Sequence, residues 1–472
     1  MIGFLICALS ATLLVPAAAD WAYGNPDWHV FVYSAIAAGI FGGFMVFATG
    51  GRAGLSLNLR GAFLLTGLSW ILLPAVAALP FTGLGISYTN AFFETASAVT
   101  TTGSTIFTGL DDLPPGILLW RAILQWIGGV GIIVLAIILL PFLRVAGSQL
   151  FRTESSDTSD KVEARSFDLV GRIMLIYTGL TLACAGSYFV LGMTLFDAFC
   201  HAMATISTGG FSTHDASFGY YGSTALHWSG TLFMLTGAMP FYVYIKAMHG
   251  DFRSLFTDSQ VRLLVAFLTI VSIAMAFWLS DRTHIDLWQA LTLTAFNITS
   301  VVTTTGFATA DYTLWGPGAV GLFLVLMFVG GCSGSTSGAV KIYRFQILYQ
   351  IVRTHLRRLA SPNRVLTMTF NGRPLSDDVP FSILAFLAVF VATVAIFTLI
   401  LTFMDLDLVT AYSATVTAIT NVGPGLGPIV GPAGNFTSLP DAAKWLLSAA
   451  MILGRLELFT LLVMFDRDFW GF

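Results

Sequence analysis

A short motif, Phe93-Glu-Thr-Ala-Ser-Ala-Val-Thr-Thr-Thr-Gly103, recurs along the chain in four related copies. Three copies place a phenylalanine ten residues before a glycine, and the fourth places a tyrosine eleven residues before it. Each copy lies between two apolar runs, so the repeating unit is a span, a short apolar segment with a glycine loop, and a second span. The other copies are Phe199-Cys-His-Ala-Met-Ala-Thr-Ile-Ser-Thr-Gly209, Phe296-Asn-Ile-Thr-Ser-Val-Val-Thr-Thr-Thr-Gly306 and Tyr412-Ser-Ala-Thr-Val-Thr-Ala-Ile-Thr-Asn-Val-Gly423.

The composition indicates the environment of the chain. Of 472 residues, 56% are hydrophobic and only 10% are charged, whereas soluble domains are about one quarter charged. The mean hydropathy is +0.82, and apolar runs of about 20 residues, the length that crosses a bilayer core, recur from end to end. The sequence therefore predicts an all-α polytopic membrane protein. A net charge of −3 argues against a nucleic-acid binder, which needs a basic face.

Ten apolar runs are candidate membrane spans, and four shorter runs are not long enough to cross. The ten are 2–19, 28–50, 59–81, 117–143, 169–192, 226–249, 261–280, 316–350, 380–404 and 442–465. The four shorter runs end in Thr- and Gly-rich stretches and are predicted to be re-entrant half-helices, namely 89–100, 197–206, 286–301 and 407–420. The first two spans precede the repeats.

Lysine and arginine are distributed unevenly between alternating loops. One set of loops holds eighteen of the 22 basic residues and the other holds Arg121, Arg282 and Lys444, while Arg455 lies inside a span. The positive-inside rule then places both termini in the cytoplasm and lets every half-helix enter from outside. The eighteen are Arg52, Arg60, Arg144, Arg152, Lys161, Arg165, Arg172, Lys246, Arg253, Arg262, Lys341, Arg344, Arg353, Arg357, Arg358, Arg364, Arg373 and Arg467.

The first span has a second interpretation as a cleaved signal peptide, because Ala17-Ala18-Ala19 resembles a cleavage site. A signal peptide needs a basic segment before its apolar run, and no Lys or Arg precedes this one. A retained helix is therefore favoured.

Four short segments that end in glycine loops predict a cation pathway. Non-helical backbone at membrane depth is tolerated only where it lines a water-filled path or is buried in protein. Four such loops around a pseudo-fourfold axis would direct carbonyl oxygens at a dehydrated monovalent cation, and the negative ends of the half-helices would favour the same ion. Thr and Gly also serve as packing residues in membrane helices. One copy alone would favour packing, but four equivalent copies favour a pathway for K⁺.

The chain resembles the TrkH/KtrB family of bacterial K⁺ uptake proteins, and more closely the TrkH branch, which has two extra N-terminal spans. The motifs run in family order along the whole chain. They are Thr-Thr-Thr-Gly103-Ser-Thr, Arg121-Ala-Ile-Leu-Gln-Trp-Ile-Gly-Gly-Val-Gly131, Ala204-Thr-Ile-Ser-Thr-Gly209-Gly-Phe-Ser-Thr-His-Asp215, Thr303-Thr-Thr-Gly306-Phe, Gly330-Gly-Cys-Ser-Gly-Ser-Thr-Ser-Gly338, Asn421-Val-Gly423-Pro-Gly-Leu-Gly427 and Leu453-Gly-Arg455-Leu-Glu457.

The resemblance implies four pore repeats, 58–165, 166–260, 261–373 and 374–472, around a central pore, after two extra transmembrane helices in 1–57. It implies a homodimer in the bacterial inner membrane, regulated by a soluble TrkA-like ring that binds NAD or adenine nucleotides. K⁺ would be the transported ion, with no covalent cofactor and no metal site outside the filter. The implied K⁺ selectivity filter is Thr101, Thr102, Gly103, Ser207, Thr208, Gly209, Thr304, Thr305, Gly306, Asn421, Val422 and Gly423.

The run 316–350 is too long for one straight crossing, and its middle is rich in glycine. Each glycine costs a helix about 1 kcal/mol relative to alanine, so a loop at membrane depth is predicted. The resemblance makes it an intramembrane gate with Gly330, Gly331, Gly334 and Gly338, and Lys341 is either a latch or an ordinary anchor. Close helix packing is the alternative. A nucleotide-binding P-loop is excluded because the Gly-Lys-Ser/Thr ending is absent.

Arg455 lies within an apolar span, where a charge needs a polar cavity or a partner. By resemblance it lines the pore beside the gate loop as a second barrier. A structural pair with Glu457 or Asp466 is the alternative, although a residue two positions away faces another side of a helix.

Acidic residues predicted on the outer side would concentrate cations, and two of them, Asp197 and Asp286, are also expected to cap half-helices. The outer acidic residues are Glu94, Asp111, Asp112, Asp197, Asp215, Asp286, Asp311, Asp405 and Asp407.

The sequence does not predict an enzyme. Ser212, His214 and Asp215 are adjacent, but a catalytic triad usually joins distant segments, so they are interpreted as vestibule lining. The four cysteines, Cys7, Cys184, Cys200 and Cys332, lie in apolar stretches and indicate neither disulfides nor a metal site. The competing class is an alternating-access cation symporter coupled to H⁺ or Na⁺, but such carriers typically have two inverted halves rather than four repeats in one orientation.

Overall fold

The computed structural model describes residues 1–50, 59–139, 162–361, 367–371, 373–376 and 378–470. Several sequence predictions lie outside these residues: the basic residues Arg52, Arg144, Arg152, Lys161 and Arg364, the span end 140–143, the repeat boundary at 57/58 and the chain end 471–472. Of Arg165 and Arg373 the backbone alone is described.

The protein is built from helices that follow the predicted repeating unit. Before the repeats stand α1 (Ile2–Thr12), α2 (Leu14–Ala22) and α3 (Trp28–Ala48). The first repeat contains α4 (Leu59–Ala77), α5 (Leu79–Gly83), α6 (Tyr88–Val99) and α7 (Pro115–Leu139). The second contains α8 (Val162–Val190), α9 (Leu195–Ile206), α10 (Thr224–Ala238) and α11 (Phe241–Met248).

The short helix α12 (Ser254–Thr257) ends the second repeat, and the third contains α13 (Ser259–Thr283), α14 (Leu287–Val302), α15 (Pro317–Leu326) and α16 (Ile342–Ala360). A short antiparallel hairpin, β1 (Thr369–Phe370) and β2 (Arg373–Pro374), precedes the fourth repeat. That repeat contains α17 (Asp378–Thr402), α18 (Leu408–Thr420), α19 (Gly427–Val430), α20 (Asp441–Arg455) and α21 (Phe459–Leu462), and the described chain closes with α22 (Arg467–Trp470). Short 3₁₀ turns lie at Leu110–Asp112, Ser217–Tyr220, Tyr312–Trp315 and Val463–Phe465.

Seven of the ten predicted spans are confirmed as apolar segments long enough to cross a membrane within the described ranges. The other three are interrupted. The break between α15 and α16 falls in the glycine-rich stretch, as predicted, and α20 meets the segment Phe459–Phe465 at a bend of 101°. The run 226–249 is interrupted as well, because Pro240 lacks a backbone N–H and Met239 before it is extended, which separates α10 from α11.

The four short helices α6, α9, α14 and α18 confirm the predicted half-helices to within two residues at each end. A side-chain oxygen caps each N-terminus, which satisfies an otherwise unpaired backbone N–H. The caps are Ser87, Thr194, Asp286 and Asp407. Asp286 caps as predicted, but the prediction for Asp197 is wrong: Thr194 caps α9 and accepts from the Asp197 backbone N–H at 3.1 Å.

Each half-helix packs against spans of its own repeat, and three also pack on the preceding repeat in cyclic order. α9 contacts α7, α14 contacts α10, and α6 contacts α20 of the fourth repeat, so the fourth repeat closes on the first. The first two spans lie beside this ring. The Ser10 hydroxyl donates to the Ala35 carbonyl at 2.7 Å, and the buried Asp20 carboxylate accepts from the Gly116 backbone N–H at 2.6 Å, where α7 begins.

Candidate ion pathway

Every half-helix ends in the same backbone turn. A non-glycine residue has a left-handed φ of 52–58°, and a glycine with positive φ follows two residues later. The left-handed conformation is costly for residues with a Cβ, so its recurrence marks a built feature of the fold. The four pairs are Thr101 with Gly103, Thr208 with Gly210, Thr304 with Gly306, and Asn421 with Gly423.

This backbone pattern corrects the sequence alignment of the second repeat. The structural equivalent of Gly103, Gly306 and Gly423 is Gly210, and Gly209 occupies the preceding position. Hydrogen bonds confirm this register, because the residue before each of these glycines donates its N–H to the carbonyl five residues back. The donors are Thr102, Gly209, Thr305 and Val422, at 2.8, 2.8, 2.8 and 3.1 Å. The sequence alignment on Gly209 is therefore one residue out of register.

The four positive-φ glycines close the loops into a ring. A Cβ added to any of them would lie less than 3.0 Å from a carbonyl oxygen of the next loop, a distance that real Cβ atoms do not adopt. Both the backbone conformation and this close approach therefore require glycine. The contacts run in order and return to their origin: Gly103 to Gly209, Gly210 to Thr305, Gly306 to Val422, and Gly423 to Thr102.

Polar side chains connect the loops further. Thr100 and Thr102 share a hydrogen bond between their hydroxyls at 2.7 Å, and Thr303 and Thr305 repeat it at 2.8 Å. Asn421 departs from the Thr pattern and donates from Nδ2 to the Thr102 hydroxyl at 2.9 Å, which connects the fourth loop to the first. The ring is thus pseudo-symmetric, as its sequence predicts.

A cavity lies on one side of the ring. All four positive-φ glycines line it, together with Arg121, Ser212, His214 and Asp215. The buried Arg121 guanidinium pairs with the buried Glu94 carboxylate at 2.8 Å and donates to the Ser212 carbonyl at 3.0 Å. Glu94 also accepts from the Ile106 N–H at 2.8 Å. This ion pair, absent from the sequence predictions, fixes the chain segments that leave the first two loops.

The side chains of Ser212, His214 and Asp215 have separate partners, although the Ser212 hydroxyl also accepts from the His214 backbone N–H at 3.0 Å. The Ser212 hydroxyl contacts His201 Nε2 at 3.0 Å, and the Asp215 carboxylate accepts from the Gly109 and Leu110 N–H groups at 2.9 and 3.1 Å. They form no catalytic triad with one another, which agrees with their interpretation as cavity lining.

His214 joins two repeats through acidic partners. Its Nδ1 hydrogen-bonds to Asp111 of the first repeat, and its Nε2 lies 3.7 Å from Asp197 of the second. The ring stacks on Tyr220 at a centroid distance of 3.6 Å. Burial alone would lower the pKa of His214, but the hydrogen bonds and charges of Asp197 and Asp111 outweigh it and raise the pKa above its usual value.

The other outer acidic residues are spread more widely. Asp311 caps a 3₁₀ turn, Asp407 caps α18, and Asp112 and Asp405 are exposed. Cys184, Cys200 and Cys332 are buried free thiols, and Cys7 is a half-buried one.

The loop between α15 and α16 lies against the opposite side of the ring and contacts three of its four loops. The Ser337 hydroxyl donates to the Thr303 carbonyl at 2.7 Å, and the Gly338 N–H donates to the Thr304 hydroxyl at 2.7 Å. The Ala339 N–H donates to the Thr420 carbonyl at 2.9 Å. The Thr336 hydroxyl lies 3.2 Å from that of Thr208.

Glycines allow this loop to pack closely. A Cβ at Gly338 would lie less than 3.0 Å from the Thr420 carbonyl oxygen, and one at Gly330 would lie as close to the Gly338 carbonyl oxygen. A Cβ at Gly331 would meet the Ser337 side chain, and Gly334 has a positive φ of 76°. The Lys341 ammonium is buried and donates to the Ser337 carbonyl, so it ties the end of the loop to its middle.

Arg455 ends α20 directly beside this loop. Its side chain is buried, and Nη1 donates to the Thr336 carbonyl at 2.7 Å. Its Nε and Nη2 are buried with no hydrogen-bond partner among the described residues. The alternative that Arg455 pairs with Glu457 is wrong, because the Glu457 carboxylate binds Arg344 at 2.5 Å. Asp466 is exposed.

The geometry defines a class of protein: a polytopic membrane protein with four half-helices whose terminal loops form a ring, a cavity on one side of that ring and the 327–341 loop against the other. A family profile described as TrkH, cation transport protein, matches residues 29–469. The chain belongs to this TrkH family.

Relatives and a solved structure agree with this assignment. The Trk system potassium uptake protein TrkI of Halomonas elongata is 48% identical over 424 residues, which is 89% of this chain and 86% of that protein. The Trk system potassium uptake protein TrkH of Escherichia coli is 34% identical and covers 100% of this chain and 98% of its own. The crystal structure of the potassium transporter TrkH from Vibrio parahaemolyticus superposes with a TM-score of 0.91 at 34% identity, covering 99% of this chain and 98% of that one.

Proposed function

We propose that this chain is the ion-translocating subunit of a Trk-type potassium uptake system. Its family and its full-length relatives, which are named potassium uptake proteins, support K⁺ as the transported ion. The closed succession of four glycine contacts carries the proposal, because it brings four non-helical loops around one axis at the ends of four half-helices. Transport through such a path needs no covalent cofactor, and the chain acts as a transporter rather than as an enzyme.

The selectivity filter consists of the loop residues 101–103, 207–210, 304–306 and 421–423. Main-chain carbonyl oxygens replace the hydration shell of K⁺. The filter residues taken from the sequence are kept, and Gly210 is added because it occupies the position of Gly103 in the ring. The negative ends of four half-helix dipoles stabilise a cation at the same place.

The loop 327–341 acts as the gate, and Arg455 forms a second barrier beside it. The gate assignment rests on the hydrogen bonds from Ser337, Gly338 and Ala339 to two of the half-helix ends. The barrier assignment rests on the buried guanidinium, which lies next to the gate without an acidic partner among the described residues. A fixed positive charge below a cation filter raises the energy of a passing cation.

The proposal includes a homodimer in the bacterial inner membrane with both termini in the cytoplasm. The repeats correspond to 58–165, 166–260, 261–373 and 374–472. The basic helix α16, which follows the gate, is the surface through which a cytosolic TrkA-like nucleotide-binding subunit would act on the gate loop.

Rubidium flux into proteoliposomes tests this function. We expect Rb⁺ uptake that K⁺ inhibits at lower concentration than Na⁺, together with channel-like unitary currents in planar bilayers, and a response of the flux to the cytosolic partner. Uptake with a fixed stoichiometry of H⁺ or Na⁺ and no unitary current would instead indicate the alternating-access symporter. Equal inhibition by K⁺ and Na⁺ would contradict the selectivity filter.

A further inference from the structure

One face of α7 packs along the second filter loop. Arg121, Gln125, Gly128 and Gly129 are spaced by three and four residues, so they share a side of the helix. Arg121 reaches the Ser212 carbonyl, and a Cβ at Gly129 would lie less than 3.0 Å from Ser207. A Cβ at Gly128 would be equally close to the Val99 carbonyl oxygen of the first half-helix. The two glycines therefore let α7 approach the ring closely enough for a side chain to reach the filter backbone.

The side chain that reaches it is Gln125. Its Nε2 donates to the Gly209 carbonyl at 2.5 Å, and its Oε1 accepts from the Phe211 N–H at 3.0 Å. The side chain is fully buried. The amide thus bridges two backbone groups on either side of the ring glycine Gly210. A buried side-chain amide that makes two hydrogen bonds fixes the positions of the backbone groups that it joins.

The contact with Gln125 explains why position 209 is a glycine. The equivalent residues of the other loops, Thr102, Thr305 and Val422, all carry side chains. The φ of Gly209 lies outside the left-handed region, so its backbone conformation does not require glycine. A Cβ at this position would instead lie less than 3.0 Å from the amide atoms of Gln125. Gly209 therefore provides room for a side chain from the preceding repeat.

We propose that Gln125 is a positioning residue of the filter that maintains the preference for K⁺ over Na⁺. This inference rests on the proposed filter. Gln125 holds the Gly209 carbonyl, which also contacts Gly103 of the first loop, at the junction between two of the four loops. Without that hydrogen bond the second loop can move toward a smaller cation. Discrimination between ions of different size then decreases, while the path itself remains.

Competition in proteoliposomes tests the role of Gln125. The variants are Gln125→Ala and Gln125→Leu, and the readout is the ratio of K⁺ to Na⁺ concentrations that inhibit half of the Rb⁺ uptake. We expect the K⁺ preference to decrease by about fivefold or more, the effect of one lost hydrogen bond. Gln350→Ala is the matched control, because Gln350 bridges the N–H and carbonyl of Thr369 with the same amide geometry in the hairpin region. In vesicles that contain this chain without the cytosolic partner, the control should keep the wild-type preference.

A paired substitution separates positioning from general loss of structure. Gly209→Ala places a Cβ against Gln125 and should reduce uptake, whereas Gln125→Ala with Gly209→Ala removes the clash and should restore part of it. An unchanged K⁺ preference in a well-folded Gln125→Ala protein, or a double variant no better than Gly209→Ala, would overturn the proposal. A wild-type protein with no K⁺ preference would contradict the proposed filter itself, so the two failures are distinguishable.

Discussion

Arg455 donates a hydrogen bond from Nη1 to the carbonyl oxygen of Thr336 at 2.7 Å, which connects the end of α20 to the loop beneath the ring. The bond is made by a charged group to a neutral acceptor, and the charge has no acidic partner among the described residues. Just after Arg455, the chain bends through Glu457 and Leu458, which both have a left-handed φ. Arg344 at the start of α16 holds Glu457 at 2.5 Å. The chain around Arg455 therefore contacts the third repeat twice, inside the 327–341 loop at Thr336 and at the start of α16 at Arg344.

Replacing Arg455 by alanine should raise ion flux. The substitution removes a positive charge beside the path, and lowering the barrier by ~1.4 kcal/mol corresponds to about tenfold faster passage. Rb⁺ flux and unitary conductance measure the effect, while the K⁺ to Na⁺ preference should stay unchanged because the ring is intact. Arg467→Ala, at the exposed end of the chain, is the control. A folded but inactive Arg455→Ala protein would show that the residue is structural.

Replacing a ring glycine should abolish K⁺ uptake or reduce it at least about tenfold, since a Cβ at Gly103 or Gly306 collides with the next loop and the positive φ disfavours any side chain. Uptake by a K⁺-dependent bacterial strain and the amount of protein in its membrane are both measured for Gly103→Val and Gly306→Val. Gly186→Val on α8 is the control, because nothing lies within 4 Å of a Cβ there. Normal uptake by the ring variants would remove the basis for the filter.

The contribution of His214 to stability should depend on pH. Its pKa is raised in the folded protein, so the stabilisation from its charged form is complete below the usual His pKa of about 6.5 and is lost as the pH rises through the folded-state value. We expect His214→Gln to lower the melting temperature most near pH 6 and least near pH 9, values chosen to lie on either side of about 6.5. Thermal unfolding of the purified protein across this range checks the sign. A difference in melting temperature between wild type and His214→Gln that grows as the pH rises would contradict this prediction.

Breaking the buried Glu94–Arg121 pair should lower the free energy of unfolding far more than breaking an exposed pair. Glu94→Gln leaves the Arg121 charge buried without its counter-charge, and breaking such a pair costs about 3–5 kcal/mol. The matched control is Asp168→Asn, which removes the exposed partner of Arg172 and should cost about 0–1 kcal/mol. Unfolding of the purified proteins in detergent measures the loss of stability of Glu94→Gln and of Asp168→Asn relative to wild type. Equal losses would show that the buried pair has no special role.

Much of the fold follows from simple features of the sequence. The four half-helices are predictable because runs such as 89–100 are too short to span and end in Thr and Gly, and the length and glycine content of 316–350 indicate its break. These signals are local, so they depend on residues that are neighbours along the chain.

The remaining features depend on contacts between distant residues. The placement of Gly210 in the ring needs backbone angles, because two glycines in succession leave the alignment open by one residue. The bridge from Gln125 to Gly209 joins different repeats, and its only sequence signal is a glutamine three residues before a pair of glycines. The partner of Glu457 lies over a hundred residues away, at Arg344.

The circular order of the glycine contacts has a consequence for biogenesis. Gly423 meets Thr102, so the first loop acquires its neighbour on that side only after the fourth repeat has left the ribosome and entered the bilayer. A nascent chain that stops before this point has only three of the four loops, and the ring is open between the third loop and the first. The closed ring, and with it the proposed ion path, therefore forms only once nearly the whole polypeptide has been made.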